Sequence, residues 1–271
     1  MLLCTLFTCK NSVHICEQRK YNVVNTVQKA IRILETLAEN SDLGLSELVR
    51  ILDLPKSSVH SILETLCIEK LVEREDNSGK YHLGVKLVEL GNRARLELDI
   101  CRIAAPFLQG LNVEFDETVH LTVLDRDEVL YVDCIESKRR LRTYSVIGVR
   151  APLYCTSVGK AILAFQKDDE IRRIARDKGL KRITGTTIDS EERLFVEVTR
   201  IRELGFAVDD MEHEEHLRCV GAPIRNARGE VFASLSLSGP AERNTRERIE
   251  QMAPSVMRAG IEISRRLGWR P

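Results

Sequence analysis

Apolar residues recur at helical spacing from Thr26 onward. Val27, Ala30, Ile31, Ile33, Leu34, Leu37 and Ala38 form one stripe, which predicts a first helix over 26–40. Ser41, Asp42 and Gly44 break it, and a short second helix follows over 47–52, with Ser46 as its cap and Leu48, Val49 and Ile51 turned inward. Asp53 and Leu54 make a tight connection. Pro55 then stands in the first turn of a third helix, where its missing N–H costs nothing, and that helix runs to Lys70 with Val59, Ile62, Leu63 and Leu66 buried. The period next falls to two: Leu71-Val72-Glu73-Arg74 and Lys80-Tyr81-His82-Leu83 flank the turn Asp76-Asn77-Ser78-Gly79, which reads as a hairpin. Two short helices joined by a tight turn and followed by a hairpin have the order of a winged helix-turn-helix.

Past residue 84 the pattern changes. A linker helix is predicted over 85–100, with Val85, Val88, Leu90 and Leu96 apolar, and a further helix over 101–113. Strands follow at 118–125, 128–135 and near 142–146, then helices at 157–165, 168–178 and 191–204. Strands at 206–209, 218–225 and 230–238 precede a long amphipathic helix over 245–267. Hairpin-spaced strands with helices at intervals imply an α+β domain with a mostly antiparallel sheet. The expected organisation is an extension over 1–22, a winged helix-turn-helix over 23–84, a linker over 85–101 and a larger domain over 102–271.

Composition narrows the function. A chain of 271 residues with 43% hydrophobic and 30% charged residues suits a soluble globular protein of two domains. No apolar run approaches the roughly 20 residues of a membrane-spanning helix, so no membrane partner is expected. The eight cysteines are scattered, which fits reduced thiols in a cytoplasm better than a disulfide framework. The segment with Cys4, Cys9 and Cys16 lacks the basic start and small-residue cleavage site of a secretory signal and has no CxxC pair for a metal clip. It reads as a loose extension or as the result of a start placed too far upstream.

Net charge is zero, and acids outnumber bases within 23–84, so a DNA footprint there has to be a local face. One window qualifies: Lys56, Ser57, Ser58, His60 and Ser61 place donors and acceptors in the first two turns of the third helix, with no acid between Pro55 and Leu63. Ser46 belongs to the same candidate set. Arg74, Lys80, Tyr81 and His82 are candidates to hold phosphates from the hairpin. The bland alternative is a solvated helix end with ordinary surface charges.

In the larger domain, Thr156 and Ser157 supply hydroxyls at a helix start, where free N–H groups favour an anion, although Ser157 also reads as a plain cap. Ser234, Ser236 and Ser238 recur at period two opposite Leu235 and Leu237, so one strand face is a row of hydroxyls. The run Asp209-Asp210-Met211-Glu212-His213-Glu214-Glu215-His216, with Cys219 and His120, invites a metal reading, but no established ligand spacing is matched, and neither a metal nor a cofactor is expected. A Cys-His hydrolase on Cys219 and His216 lacks an identifiable oxyanion pair and orienting residue. The run reads better as a solvated loop gating a pocket, and Cys219 by itself as a small core residue.

The chain resembles the IclR family of bacterial transcriptional regulators over nearly all of 25–268. The likeness is carried by Val27-Gln28-Lys29-Ala30-Ile31-Arg32-Ile33-Leu34, Leu54-Pro55-Lys56-Ser57-Ser58-Val59-His60 and Tyr81-His82-Leu83-Gly84. In the second half Thr118-Val119-His120-Leu121, Ala151-Pro152-Leu153-Tyr154 with Gly159-Lys160-Ala161, Gly205-Phe206-Ala207-Val208-Asp209-Asp210, Leu217-Arg218-Cys219-Val220-Gly221-Ala222-Pro223 and Ser236-Leu237-Ser238-Gly239-Pro240 continue it in order. The resemblance implies a winged helix-turn-helix, a linker helix and a GAF-like effector-binding domain in a homodimer or dimer of dimers. It further implies an approximately palindromic double-stranded DNA operator and a small anionic metabolite as partners, regulation without catalysis, and repression as the mode. A small-molecule enzyme and a ligand-free interaction module are the rival classes. The implied effector residues are Ser157, Val158, Asp209, Leu217, Cys219, Ser236 and Ser238, which raises Cys219 above plain core. Leu141-Arg142-Thr143-Tyr144-Ser145-Val146-Ile147-Gly148 looks most like members that respond to sugar acids such as 2-keto-3-deoxygluconate. His216 stands where family members frequently have glycine, and is expected to narrow the pocket mouth.

Overall fold

The computed structural model describes residues 24–143 and 147–270. The expected extension over 1–22, and positions 144–146 of the expected strand near 142–146, lie outside the described residues. The chain divides into two compact units between Asn92 and Arg93.

The first unit contains α1 (Asn25–Glu39), α2 (Leu45–Leu52) and α3 (Lys56–Ile68), then β1 (Val72–Arg74) and β2 (Tyr81–Leu83). Ile33, Leu37, Leu48, Val59, Leu63 and Val72 meet in its core. Only part of the expected α1 stripe is buried, since Val27 and Ile31 remain 55% and 49% exposed. In α2 it is Leu52, not Ile51, that joins Leu48 inside. Ser46 is not the cap. Gly44 is, and the Glu47 carboxylate accepts its N–H at 2.7 Å, so α2 starts two residues earlier than expected. Pro55 likewise lies one position outside α3, as its N-cap, and its carbonyl accepts the Val59 N–H. Asp53 adopts the left-handed conformation that turns α2 into α3, and Arg32 donates to the Leu52 carbonyl at 3.1 Å, fixing α1 on that turn. β1 and β2 pair antiparallel, Val72 opposite Leu83. Gly84 closes the hairpin, donating its N–H to Leu71, and a Cβ at that position would lie 2.2 Å from the Lys70 carbonyl oxygen. Only glycine fits there.

The predicted linker breaks earlier than its apolar pattern implied. α4 (Lys86–Glu97) ends before Leu98, whose extended backbone caps α5 (Asp99–Phe115). α4 buries none of its residues, and Val88 and Leu96 are 63% and 71% exposed.

The second unit is built on a six-stranded sheet of β3 (Thr118–Asp125), β4 (Glu128–Ile135), β5 (Arg150–Pro152), β6 (Ala207–Asp210), β7 (Leu217–Arg225) and β8 (Val231–Pro240). Its order is β5-β4-β3-β8-β7-β6, antiparallel throughout. β5 at Arg150–Pro152 forms one edge of this sheet, a few residues past the stretch in which a strand was expected. α5 and α9 (Arg246–Arg266) cover one face, where Leu121, Val220, Leu235 and Leu237 pack with Leu108, Met252 and Val256. Each such side chain contributes roughly 1.5–3 kcal/mol of burial. α6 (Ser157–Leu163), α7 (Asp168–Lys178) and α8 (Glu191–Leu204) form the second cluster of the unit, with Val158, Ile162, Ile171, Leu194 and Ile201 fully or almost fully buried. The unit is thus a three-layer α/β/α sandwich.

Candidate functional site

Period-two alternation decides what faces α6. With Leu121, Leu235 and Leu237 committed to the α5–α9 core, the intervening positions of β3 and β8 turn to the other face: His120 lies opposite Ser236, and Thr118 opposite Ser238. On β7, Cys219 is opposite Ser238 and Gly221 opposite Ser236, while on β6 Asp209 is opposite Cys219. One ladder therefore carries Asp209, Cys219, Ser238 and Thr118 side by side. Gly221 lets the start of α6 settle directly on the sheet, since a Cβ there would come within 2.9 Å of the Ser157 carbonyl.

Beside this ladder lies a cavity of about 150 Å³. Of the expected effector residues, Ser157, Asp209, Leu217, Cys219, Ser236 and Ser238 line it, together with Thr156, named beside Ser157 as a hydroxyl at the helix start, His213 of the expected gating loop, and His120 and Tyr131, which sequence reasoning did not assign to a pocket. Val158 does not. Its side chain is core, and its carbonyl accepts the Ser234 hydroxyl at 2.9 Å. Ser234 is thereby withdrawn from the hydroxyl row and also meets Thr122 Oγ1 at 2.7 Å. Ser236 and Ser238 approach His120 Nδ1 at 3.4 and 3.2 Å. Burial pushes the His120 pKa down to about 4, so its imidazole is neutral near pH 7. The Tyr131 ring stands edge-on to it at 5.2 Å.

Asp209 is 3% exposed and accepts the Glu212 and His213 backbone N–H groups at 2.8 and 3.4 Å. Burial outweighs those donors and raises its pKa to about 7. Burial raises the Cys219 thiol well above its ordinary value, which keeps it protonated and a poor nucleophile. Arg150 reaches the cavity from the rim but is already paired with Asp125. The wall therefore offers hydroxyls, the His120 and His213 imidazoles and a thiol, together with the Asp209 and Glu214 carboxyls.

The acidic run separates in space. His213 lines the cavity, whereas His216 is exposed with Nδ1 3.6 Å from Glu242 and does not narrow the mouth. Its φ of 63° is a left-handed conformation that glycine adopts without strain, which accounts for the glycine expected at this position. Among the described residues no three His, Cys, Asp or Glu side chains are grouped to hold a metal ion. Behind the cavity the Lys160 ammonium, 1% exposed, contacts Glu212 at 2.5 Å and Glu197 at 3.1 Å. Those carboxylates hold its pKa above the ordinary value despite burial.

In the first unit Lys56, Ser57, His60 and Ser61 are exposed on the opening turns of α3, and Ser58 is half-buried. His60 approaches Glu64 at 3.5 Å, the acid that ends the acid-free window. Arg74 and Lys80 flank the hairpin turn. Tyr81 is corrected: it is 6% exposed in the core, its N–H donates to Leu43, and Arg74 lies 5.7 Å from its ring centroid. It shapes the wing instead of presenting a free phenol face.

Comparison with known proteins agrees with these two units. The IclR helix-turn-helix domain matches residues 26–76, and the C-terminal domain of bacterial IclR transcriptional regulators matches 93–265. The chain is 38% identical to the HTH-type transcriptional regulator KdgR of Escherichia coli K12, with 91% of this chain and 94% of that protein covered. It is 30% identical to the transcriptional repressor IclR of the same organism, with 89% of each covered. The crystal structure of Thermotoga maritima IclR superimposes with a TM-score of 0.74 at 33% identity, covering 91% of this chain and all of that one. The chain belongs to the IclR family of DNA-binding bacterial transcriptional regulators.

Proposed function

We propose that the protein is a cytoplasmic repressor that binds an approximately palindromic operator as a homodimer or dimer of dimers, and that a small sugar acid or 2-keto acid in the second-unit cavity sets its operator affinity. The observation that carries the ligand part is the cavity's size and lining. Its volume, about 150 Å³, is small beside the ~300–1,000 Å³ of pockets for drug-sized ligands. A short, oxygen-rich metabolite is the class that fits. α6 has only seven residues, so recognition of a carboxylate rests on Ser157, Ser236, Ser238 and neutral His120 more than on a helix dipole. Asp209 suits the hydroxyl end of such a molecule.

The DNA part rests on Lys56, Ser57, Ser58, His60 and Ser61 at the exposed start of α3, a size and polarity suited to the major groove. Arg74 and Lys80 supply phosphate contacts, and Ser46 is exposed at the start of α2. The uncovered apolar residues of α4 support a homodimer. Repression is the mode named for the Escherichia coli IclR relative. The sugar-acid class follows the likeness in 141–148, and neither a metal nor a cofactor is needed for such a switch. Calorimetry with 2-keto-3-deoxygluconate, pyruvate and glyoxylate tests the ligand part: saturable binding that Ser236→Leu removes supports it, and no binding of any of these acids opposes it.

A further inference from the structure

Lys160 and Glu212 do not line the cavity, yet they tie its two sides together. Lys160 lies on α6, one turn beyond Ser157, and Glu212 lies in the turn between β6 and β7. Within that turn the Glu212 N–H donates to the cavity carboxyl of Asp209, and the Glu212 carbonyl accepts Thr187 Oγ1 at 2.6 Å. The Met211 carbonyl accepts Thr184 and Thr186 hydroxyls, both at 2.7 Å, although Met211 itself holds a left-handed φ of 61°. The chain leaving this turn supplies His213, Glu214 and Leu217 to the cavity wall.

An ion pair in such a place is a poor stabiliser. Desolvating an ammonium and a carboxylate offsets most of their attraction, and well-packed neutral replacements of buried pairs are often as stable. Glu212 Oε2 has no hydrogen-bond partner among the described residues, a further loss that simple stability would not favour. The pair is better explained by what it orients. We infer that Lys160 and Glu212 are positioning residues of the ligand cavity, their buried link holding Asp209 and the 211–217 rim in the binding arrangement.

The inference rests on reading the cavity as the effector site, but its first test needs no ligand. Hydrogen exchange on the full-length chain would compare wild type with Lys160→Met/Glu212→Gln, which removes both charges of the pair and leaves Glu197 to Arg200, and with Glu212→Gln alone, which keeps Glu197 and an amide acceptor for Lys160. The expected result is at least tenfold faster exchange of the Glu212 and His213 amides in the double variant, unchanged protection of β3 and β8, and near-wild-type exchange in the single variant. Unchanged exchange at 209–217, or loss of protection across the whole sheet, would overturn it. In calorimetry with 2-keto-3-deoxygluconate, the double variant is expected to bind at least tenfold more weakly than wild type, and equal affinity would likewise overturn the inference. If wild type does not bind this acid, the ligand class falls, and exchange alone decides the positioning role.

Discussion

Asp209 shows how one buried side chain shapes both ligand choice and pH response. Its folded pKa of about 7 lies above the unfolded value of ~3.9. The folded protein therefore holds a proton that the unfolded chain releases between those values. The associated stability is fully present below the unfolded pKa and is lost as pH rises through about 7. Asp209→Asn should flatten that dependence, so the melting temperature of the variant would fall less than that of wild type between pH 5 and pH 8. Parallel curves for the two proteins would contradict the assignment. Ser236→Leu belongs to the same scale: filling the cavity should abolish ligand-induced thermal stabilisation while leaving operator affinity within about twofold, a difference of ~0.4 kcal/mol by the usual conversion. The hydroxyl row was legible because Ser236 and Ser238 alternate with leucines. The matching signal in Thr118-Val119-His120-Leu121-Thr122 was equally present, and sequence alone suggested His120 only as a metal ligand. Val158 and Tyr81 were misplaced because identity does not reveal whether a helix start offers its side chain or its backbone, or which face of a three-residue strand is inward.

At the scale of elements, α3 and the hairpin make separable predictions. Lys56→Ala should weaken operator binding and lower the salt-dependence slope by about one unit if Lys56 neutralises one phosphate. Ser58→Ala should weaken binding without changing that slope, and both variants should retain the ligand-induced melting shift. Loss of the shift in either would argue against separate roles for the units. Gly84→Ala should destabilise the first unit by about 1–3 kcal/mol, the range for forced overpacking, because the new methyl meets backbone, not a movable side chain. Proteolysis of the first unit with the second left intact would report it. Helices and strands were legible from periodicity to within a few residues, since long amphipathic segments such as α9 leave little ambiguity. Caps were less so: Gly44 and Glu47 share the capping of α2, and a serine beside them looked equally able. The α4–α5 break at Leu98 carries no Gly or Pro signal, so the apolar pattern ran through it.

For the whole molecule, two units with unlike chemistry are joined through α4, a helix that buries none of its residues. In the proposed dimer, a ligand changes operator affinity by favouring one arrangement of the two DNA-binding units over another, and a tenfold change requires about 1.4 kcal/mol of coupling. The two-part organisation was readable in the order of patterns along the chain. The cavity was not, because it is assembled from β3, β4, β5, β6, β7, β8 and α6, and only the sheet order brings Asp209, Cys219 and Ser238 into one row. The most direct test is operator binding by the full-length protein, measured by fluorescence anisotropy on duplexes from its own upstream region at fixed salt, with and without 2-keto-3-deoxygluconate. The account predicts specific binding whose affinity changes at least tenfold with the acid in wild type and not in Ser236→Leu. Binding that ignores the acid in wild type, or no specific binding to any of these duplexes even at low ionic strength, would contradict it.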